Sequence, residues 1–432
     1  MIATLLFAVF IITMMLGVPI GASLGLAGAA AIALANAEAP WFGLLAVPQN
    51  FYAGLGKYPL LAIPMFVLVG SIFDRSGVAL RLVNFAIALV GRGPGMLPLV
   101  AICVAMFLGG ISGSGPANAA AVGAVMIAAM NRAGYPASYS ASVVGAAAAT
   151  DILIPPSVAF IVYSVLVPGA SVPALFAAGM IPGVLAGIAL IVPAVWMARK
   201  HGMGHLESSL PRPPLLKSFI DAIWGLAAPV LILGGMRMGW FTPTEAAVVA
   251  VFYGLFVGLF VHRSMTLRDL FPILKESGEL SAVILLVVSL AGIFAFSLST
   301  LGVIDPITRA IVNSGLGEYG VLALLILMLI TIGMFLDGVS IFLIFVPLLW
   351  PIVQHYNWDP VWFGVLLTLK VALGQFTPPL AVNLMVSCRI ANVRMEETVR
   401  WVGPMLLAMG LVMVAVIIWP ELALWLPRVL GS

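Results

Sequence analysis

Three charged side chains, Asp151, Asp337 and Lys370, interrupt otherwise apolar stretches of this 432-residue chain. At a bilayer centre each would cost roughly 2.5–3.5 kcal/mol without a partner, so an intramembrane charge is a functional candidate by default. All three lie beside helix breakers. Asp151 precedes Leu153-Ile154-Pro155-Pro156, and Lys370 precedes Phe376-Thr377-Pro378-Pro379. Asp337 belongs to Gly333-Met334-Phe335-Leu336-Asp337-Gly338, whose counterpart is Gly109-Gly110-Ile111-Ser112-Gly113-Ser114-Gly115-Pro116. Paired prolines remove two amide donors and unwind a helix. That frees the carbonyls of Asp151, Ile154, Gly374 and Thr377 for a cation. Ser112, Ser114, Asn118 and Asn383 add hydroxyl and amide oxygens of the kind that replace water around a small cation. Helix halves beginning near Ala117 and Val339 point positive ends at the breaks, which favours an anion. The candidate solute contacts are therefore Ser112, Gly113, Asn118, Asp337 and Asn383.

In hydrocarbon, broken backbone survives only where protein or a water-filled cavity satisfies its N–H and C=O groups. The two Pro-Pro pairs stand 223 positions apart (378 − 155), about half the chain. One Gly-rich and one Pro-Pro break per half is the layout of a carrier with its site near the bilayer midplane. The plainer alternatives are close helix packing at Gly and Ser, a simple proline kink, and snorkelling of Lys370 to water. Recurrence of the paired breaks favours the site. Asp151 and Lys370, each shortly before a Pro-Pro pair, are expected to approach one another between the halves.

Composition sets the class. The chain is 63% hydrophobic and 8% charged, with mean hydropathy +1.19. A soluble domain carries roughly a quarter charged residues, so this is a membrane protein. Long continuous apolar runs point to helices rather than an alternating barrel. A net charge of +3 is too small to suggest nucleic acid. Cys103 and Cys388 have no CxxC partner, which argues against a disulfide or metal site. No HExxH, GxSxG or Walker pattern is present, and His201, His205, His262 and His355 fall in or near loops.

The pattern predicts spans at 2–20, 21–36, 58–73, 138–167 (broken), 174–197, 219–236, 243–261, 279–299, 360–390 (broken) and 402–426. Residues 1–16 lack a basic leader region and read as a retained span. Segments 40–56, 80–90, 267–277 and 306–313 read as interfacial or arm helices. Stretches 96–108 and 117–130 are each too short for a core needing roughly 20 residues, so 95–132 reads as a re-entrant hairpin. Stretches 319–332 and 339–352 make a matching hairpin over 318–355. Glu245, in Thr242-Pro243-Thr244-Glu245, reads as a helix cap.

Of the 19 basic residues, Lys57, Arg237, Arg309 and Arg428 fall on one side and Lys370 inside, leaving the rest on the other. That bias makes the crowded side cytoplasmic and both termini periplasmic. An odd number of crossings separates the hairpins, so the halves are inverted repeats: 1–198 and 218–432, joined by a cytoplasmic linker over 199–217. The fold class is an all-α polytopic membrane protein with two re-entrant hairpins and two Pro-Pro-broken helices.

Four motifs carry a resemblance. They are Ile111-Ser112-Gly113-Ser114-Gly115-Pro116-Ala117, Ile152-Leu153-Ile154-Pro155-Pro156-Ser157, Phe241-Thr242-Pro243-Thr244-Glu245-Ala246-Ala247 and Leu373-Gly374-Gln375-Phe376-Thr377-Pro378-Pro379. Over nearly its whole length the chain resembles the large membrane subunit of tripartite ATP-independent periplasmic (TRAP) transporters, the DctM-like family. The resemblance implies an elevator-type carrier in the bacterial inner membrane. It would take up an organic acid on the sodium gradient, with a small four-helix DctQ-like membrane subunit and a periplasmic DctP-like solute-binding protein. No cofactor is implied beyond sodium as coupling ion. Carried over, one sodium set is Ser112, Ser114, Asp151, Ile154 and Pro156, and the other is Gly338, Gly374, Thr377 and Leu380. The family pattern has Gly at Asp151, Asn at Lys370 and Gly at Arg389. An Asp at a cation site would strengthen sodium binding or allow proton coupling, and a lysine ammonium would act as a tethered cation. The alternatives are a self-sufficient anion carrier of a related ion-transporter family and, from another class, an intramembrane enzyme. The enzyme would need convergent catalytic groups that the histidine positions do not supply.

Overall fold

The computed structural model describes residues 2–37, 43–90, 93–207, 212–334, 336 and 338–431, with the backbone alone at Ile2, Ala3 and Ser112. The described residues form helices and connecting turns, with no strand among them. A helix satisfies its own backbone groups, which is what an apolar solvent demands. Seven helical stretches among these residues are long and apolar enough to cross a membrane.

The first half runs α1 (Ile2–Met15), α2 (Ile20–Ala35), α3 (Ala46–Leu55), α4 (Ala62–Arg75) and α5 (Val78–Val90). A hairpin follows, α6 (Met96–Ser112) and α7 (Gly115–Arg132), then a broken helix, α8 (Ala137–Ala148) and α9 (Val158–Leu166), and α10 (Val172–Lys200). The second half runs α11 (Leu215–Arg237), α12 (Pro243–Phe256), α13 (Leu267–Thr300) and α14 (Ile304–Val312). Its hairpin is α15 (Gly317–Gly333) and α16 (Gly338–His355), its broken helix α17 (Pro360–Gly374) and α18 (Val382–Ala391), and α19 (Val399–Ile418) and α20 (Glu421–Leu430) end the chain.

The halves share a backbone register beyond the prolines. Left-handed backbone recurs at Gly134 and Asn357, and at Gly169 and Asn392, each pair again 223 positions apart. Asn replaces Gly in both because its short polar side chain tolerates that conformation. The Pro155-Pro156 and Pro378-Pro379 bonds are both cis.

Three expectations need correction. The arm at 267–277 and the span at 279–299 are one helix, the 34-residue α13. Its length of about 51 Å exceeds a hydrocarbon core of roughly 30 Å, so its charged first turns extend beyond the apolar part. Ser277-Gly278 does not break it, since Ser281 Oγ donates to the Ser277 carbonyl (2.6 Å) within an intact ladder. The span expected at 402–426 stops at Ile418, because the residue before Pro420 is driven out of helical conformation, with Trp419 at φ −121° and ψ 82°. The arms of the first hairpin are longer than expected, 17 and 18 residues. The helix passes through Gly109-Gly110 and ends at Gly113, whose φ is +61°.

The helices pack in two groups, and α10 lies against α6 and α17 of the second and against α19 and α20. In one, α2 lies along α13, α4 along α12 and α13, and α5 along α11. The other holds the hairpins and broken helices, interlocked between halves: α18 packs on α7 and α8, and α9 packs on α16. Gly145 of α8 allows this closeness, since a Cβ there would lie 3.0 Å from Leu384 Cα of α18. Thr242 and Glu245 form the expected cap of α12, with the Thr242 amide donating to Glu245 Oε2 at 2.8 Å.

Candidate functional site

The first tip is a two-residue turn, Gly113-Ser114, pressed onto the first proline segment. A Cβ on Gly113 would stand 2.6 Å from the Pro156 carbonyl oxygen, so both the positive φ and the close approach require glycine. Ser114 is extended and makes no capping bond to α7. Asn118, one turn on, donates through Nδ2 to the Ala105 carbonyl (2.8 Å), and its buried Oδ1 has no hydrogen-bond partner among the described residues. Across the turn, Gly115 abuts the second half: a Cβ there would lie 2.7 Å from both Asn383 Nδ2 and Gln375 Oε1. Asn383 Nδ2 donates to Gln375 Oε1 (3.0 Å), and its own buried Oδ1 is a second amide oxygen with no hydrogen-bond partner among the described residues.

At the second tip, Gly333 ends α15 and Gly338 starts α16. Gly374, at the end of α17, meets Gly333, and a Cβ on it would lie 2.7 Å from the Gly333 carbonyl oxygen. The first half makes the same approach 224 and 223 positions earlier, where a Cβ on Gly109 would lie 2.9 Å from Asp151 Cα and Oδ1. Asp337 lies outside the described residues.

Both tips, both proline segments and two helices of the other group line a cavity of about 210 Å³. Its wall includes Gly113 and Ser114, Gly374 and Gln375, and Val67 and Leu280 from α4 and α13. A mostly apolar pocket with a few convergent polar groups is the usual form of a small-molecule site.

The residues singled out from the sequence distribute around this cavity as follows. Gly113, Ser114, Gly338, Gly374 and Leu380 line it. Ile154 and Pro156 are buried in the first proline segment, and Ser112 is the last residue of α6. Asn118 and Asn383 stand just behind the wall at the first tip. Thr377 is buried and donates through Oγ1 to the Leu373 carbonyl (2.5 Å). Asp151 and Lys370 are both fully buried, at 0% and 1% exposed. Among the described residues no hydrogen bond joins Lys370 Nζ to Asp151. Each instead faces the hairpin of its own half, Asp151 at Gly109 and Lys370 Nζ at Gly333. Around the first tip the donors suit a hard cation: a buried carboxylate and proline-segment carbonyls. Around the second, the buried charged group among the described residues is the Lys370 ammonium.

Sequence reasoning missed how the hairpins are held at their bases. Glu207, in the linker and only 3% exposed, accepts from the Leu97 amide at the start of α6 (2.9 Å) and from the Tyr135 hydroxyl just after α7 (2.6 Å). The Gly95 amide donates to the same hydroxyl (2.7 Å). Burial pushes the Glu207 carboxyl above its ordinary range, against the lowering effect of these hydrogen bonds. At the second hairpin, Trp358 Nε1 donates to Glu318 Oε1 (2.8 Å). Tyr135 and Trp358 again stand 223 positions apart, which is the signal that could have exposed them. Gln375 was passed over as part of a motif.

Helices interrupted in pairs around a shared cavity define a multi-pass membrane transporter fold. A family model for the DctM component of the tripartite ATP-independent periplasmic transporters matches residues 7–422. The chain is 34% identical over 442 residues to the C4-dicarboxylate TRAP transporter large permease protein DctM of Rhodobacter capsulatus, covering 99% of both chains. It is 36% identical over 408 residues to the isethionate TRAP transporter permease protein DctMQ of Oleidesulfovibrio alaskensis, covering 94% of this chain but only 63% of that one. To the sialic acid TRAP transporter permease protein SiaT of Haemophilus influenzae it is 32% identical, over 98% of this chain and 68% of that one. Among solved structures, the YdaH transporter of Alcanivorax borkumensis superposes with a TM-score of 0.56 at 14% identity, over 88% of this chain and 90% of that one, a likeness of fold alone. The protein belongs to the DctM family of TRAP transporter permeases.

Proposed function

We propose that this permease takes up an organic anion across the bacterial inner membrane, with the solute held between the two hairpin tips. The observation that carries the reading is the cavity itself, in which both tips, both proline segments and the packed helices α4 and α13 converge. Relatives named for C4-dicarboxylates, isethionate and sialic acid all handle organic anions, which supports that cargo class. Coupling is to sodium, held between tip and proline segment. The hairpins and broken helices move as an elevator past the α2, α4, α11–α13 group. A periplasmic DctP-like binding protein delivers the solute, and a small four-helix DctQ-like subunit completes the membrane complex. Both termini are periplasmic.

The test is uptake into proteoliposomes holding the permease and small subunit, with the binding protein added, across a panel of organic acids and imposed gradients. A sodium gradient should drive accumulation of at least one acid, and only with the binding protein present. Accumulation without the binding protein would favour the self-sufficient carrier. Accumulation on a proton gradient alone would remove sodium from the account.

A further inference from the structure

At their broken helices the two halves are matched in backbone and, among the described residues, opposite in buried charge. On the first side, Gly109 leaves room for Asp151. On the second, Gly333 leaves room for Lys370, whose Nζ would collide with any Cβ at that position. The Lys370 side chain is 1% exposed, and its Nζ has no hydrogen-bond partner among the described residues. An ammonium donates up to three hydrogen bonds and accepts none, so burying it without an acceptor is costly. It is not a snorkelling lysine, because its tip is buried.

Its position relative to the second ion set follows from helix geometry. Lys370 and Gly374 are four apart on α17, hence on one face about 5–6 Å apart. Both face Gly333: Nζ lies against it, and its carbonyl oxygen is the atom a Gly374 Cβ would meet at 2.7 Å. A sodium ion held by the carbonyls of Gly338, Gly374 and Leu380 would therefore sit within a few ångströms of a like charge. At about 6 Å and an effective dielectric constant of about 20, that repulsion weakens ion binding on the order of 100-fold. The same ammonium supplies, at no cost in ion capture, the positive charge that an ion there would have contributed behind the cavity wall.

We infer that the second repeat carries its cation covalently: Lys370 stands in for the second sodium, and this permease binds one sodium where a symmetric pair of sites would bind two. The inference rests on the sodium reading above. Asp151 keeps the first site cation-binding, so the asymmetry of the buried charges becomes an asymmetry of ion occupancy.

Equilibrium binding of radioactive sodium to the purified complex of permease and small subunit, without solute, tests this directly. Wild type should bind one ion per permease, and Lys370→Asn and Lys370→Met two each. Asp151→Asn should lose the wild-type ion. Two ions on wild type, or one ion on wild type and on both monodisperse lysine variants, would overturn the inference while leaving sodium coupling intact. No ion on wild type or any variant would instead bring down the sodium reading itself. Should the lysine variants fail to fold, the wild-type count alone still decides, since two ions contradict the proposal.

Discussion

At its base the first hairpin is closed by a buried glutamate, and the second by an exposed one. Glu207 accepts two hydrogen bonds that join the start of α6, the residue after α7 and the linker. Glu318 accepts one from Trp358 and is open to solvent. The arms differ in the same sense: α6 and α7 pack along each other, whereas α15 and α16 touch only lightly, α15 leaning on α17 and α16 on α13. Two hairpins with one backbone register are thus unequal in restraint. The first tip is the more tightly held wall of the cavity, and the second has fewer contacts between its own arms.

Substitution at the tips should separate them most. Gly113→Ala combines a left-handed φ with a Cβ 2.6 Å from backbone oxygen. The strain, about 1–3 kcal/mol, should cut uptake roughly tenfold or more. At the other tip, the Cβ of Gly338→Ala would meet only the side-chain Cγ1 of Val371, at 2.5 Å. A rotamer change costing about 0.5–1.5 kcal/mol relieves that, so the loss in uptake should be several-fold smaller. Equal losses in proteoliposome uptake would contradict the view of the first tip as the rigid one.

The bases should differ next. Glu207→Ala removes the acceptor from two buried donors and should cost about 2–3 kcal/mol, read as a lower Tm in detergent. Glu318→Ala, on an exposed side chain, should cost under about 1 kcal/mol. The reverse order would mean that the linker does not lock the first hairpin.

The smallest effect is in pH dependence. Burial raises the Glu207 carboxyl in the folded protein above its unfolded value. A raised acid contributes stability that is full below the unfolded value near 4.5 and is lost as pH climbs through the folded one. Thermal stability attributable to Glu207 should therefore decline as pH rises above about 4.5, and Glu207→Gln should flatten that part of the profile. A Gln variant with the wild-type slope would show that another group sets it.

Much of this was legible in the chain because breakers act locally. Pro155-Pro156, Pro378-Pro379 and the glycines of the first tip announce unwound backbone whatever surrounds them. The recurrence at 223 positions then ties the halves together. What escaped notice depends on distant partners. Glu207 reads as an ordinary linker acid until Tyr135 and Leu97, far away in sequence, are brought to it. That Asp151 and Lys370 face different hairpins has the same origin: both precede proline pairs, but Lys370 is one helical turn further from its pair, and each turns to its own hairpin. The end of α19 at Trp419 was obscured by the apolar residues continuing past Pro420.

The central claim is that the cavity between the tips and proline segments holds the solute. Single cysteines at Ser114 and Gln375, with Cys103 and Cys388 replaced, measure it through the rate of labelling by a small thiol reagent. The account predicts that sodium together with the transported acid slows labelling at both positions and leaves a cysteine at the exposed loop residue Ser264 unaffected. Unchanged rates at both Ser114 and Gln375 under conditions that support uptake would place the solute elsewhere and contradict it.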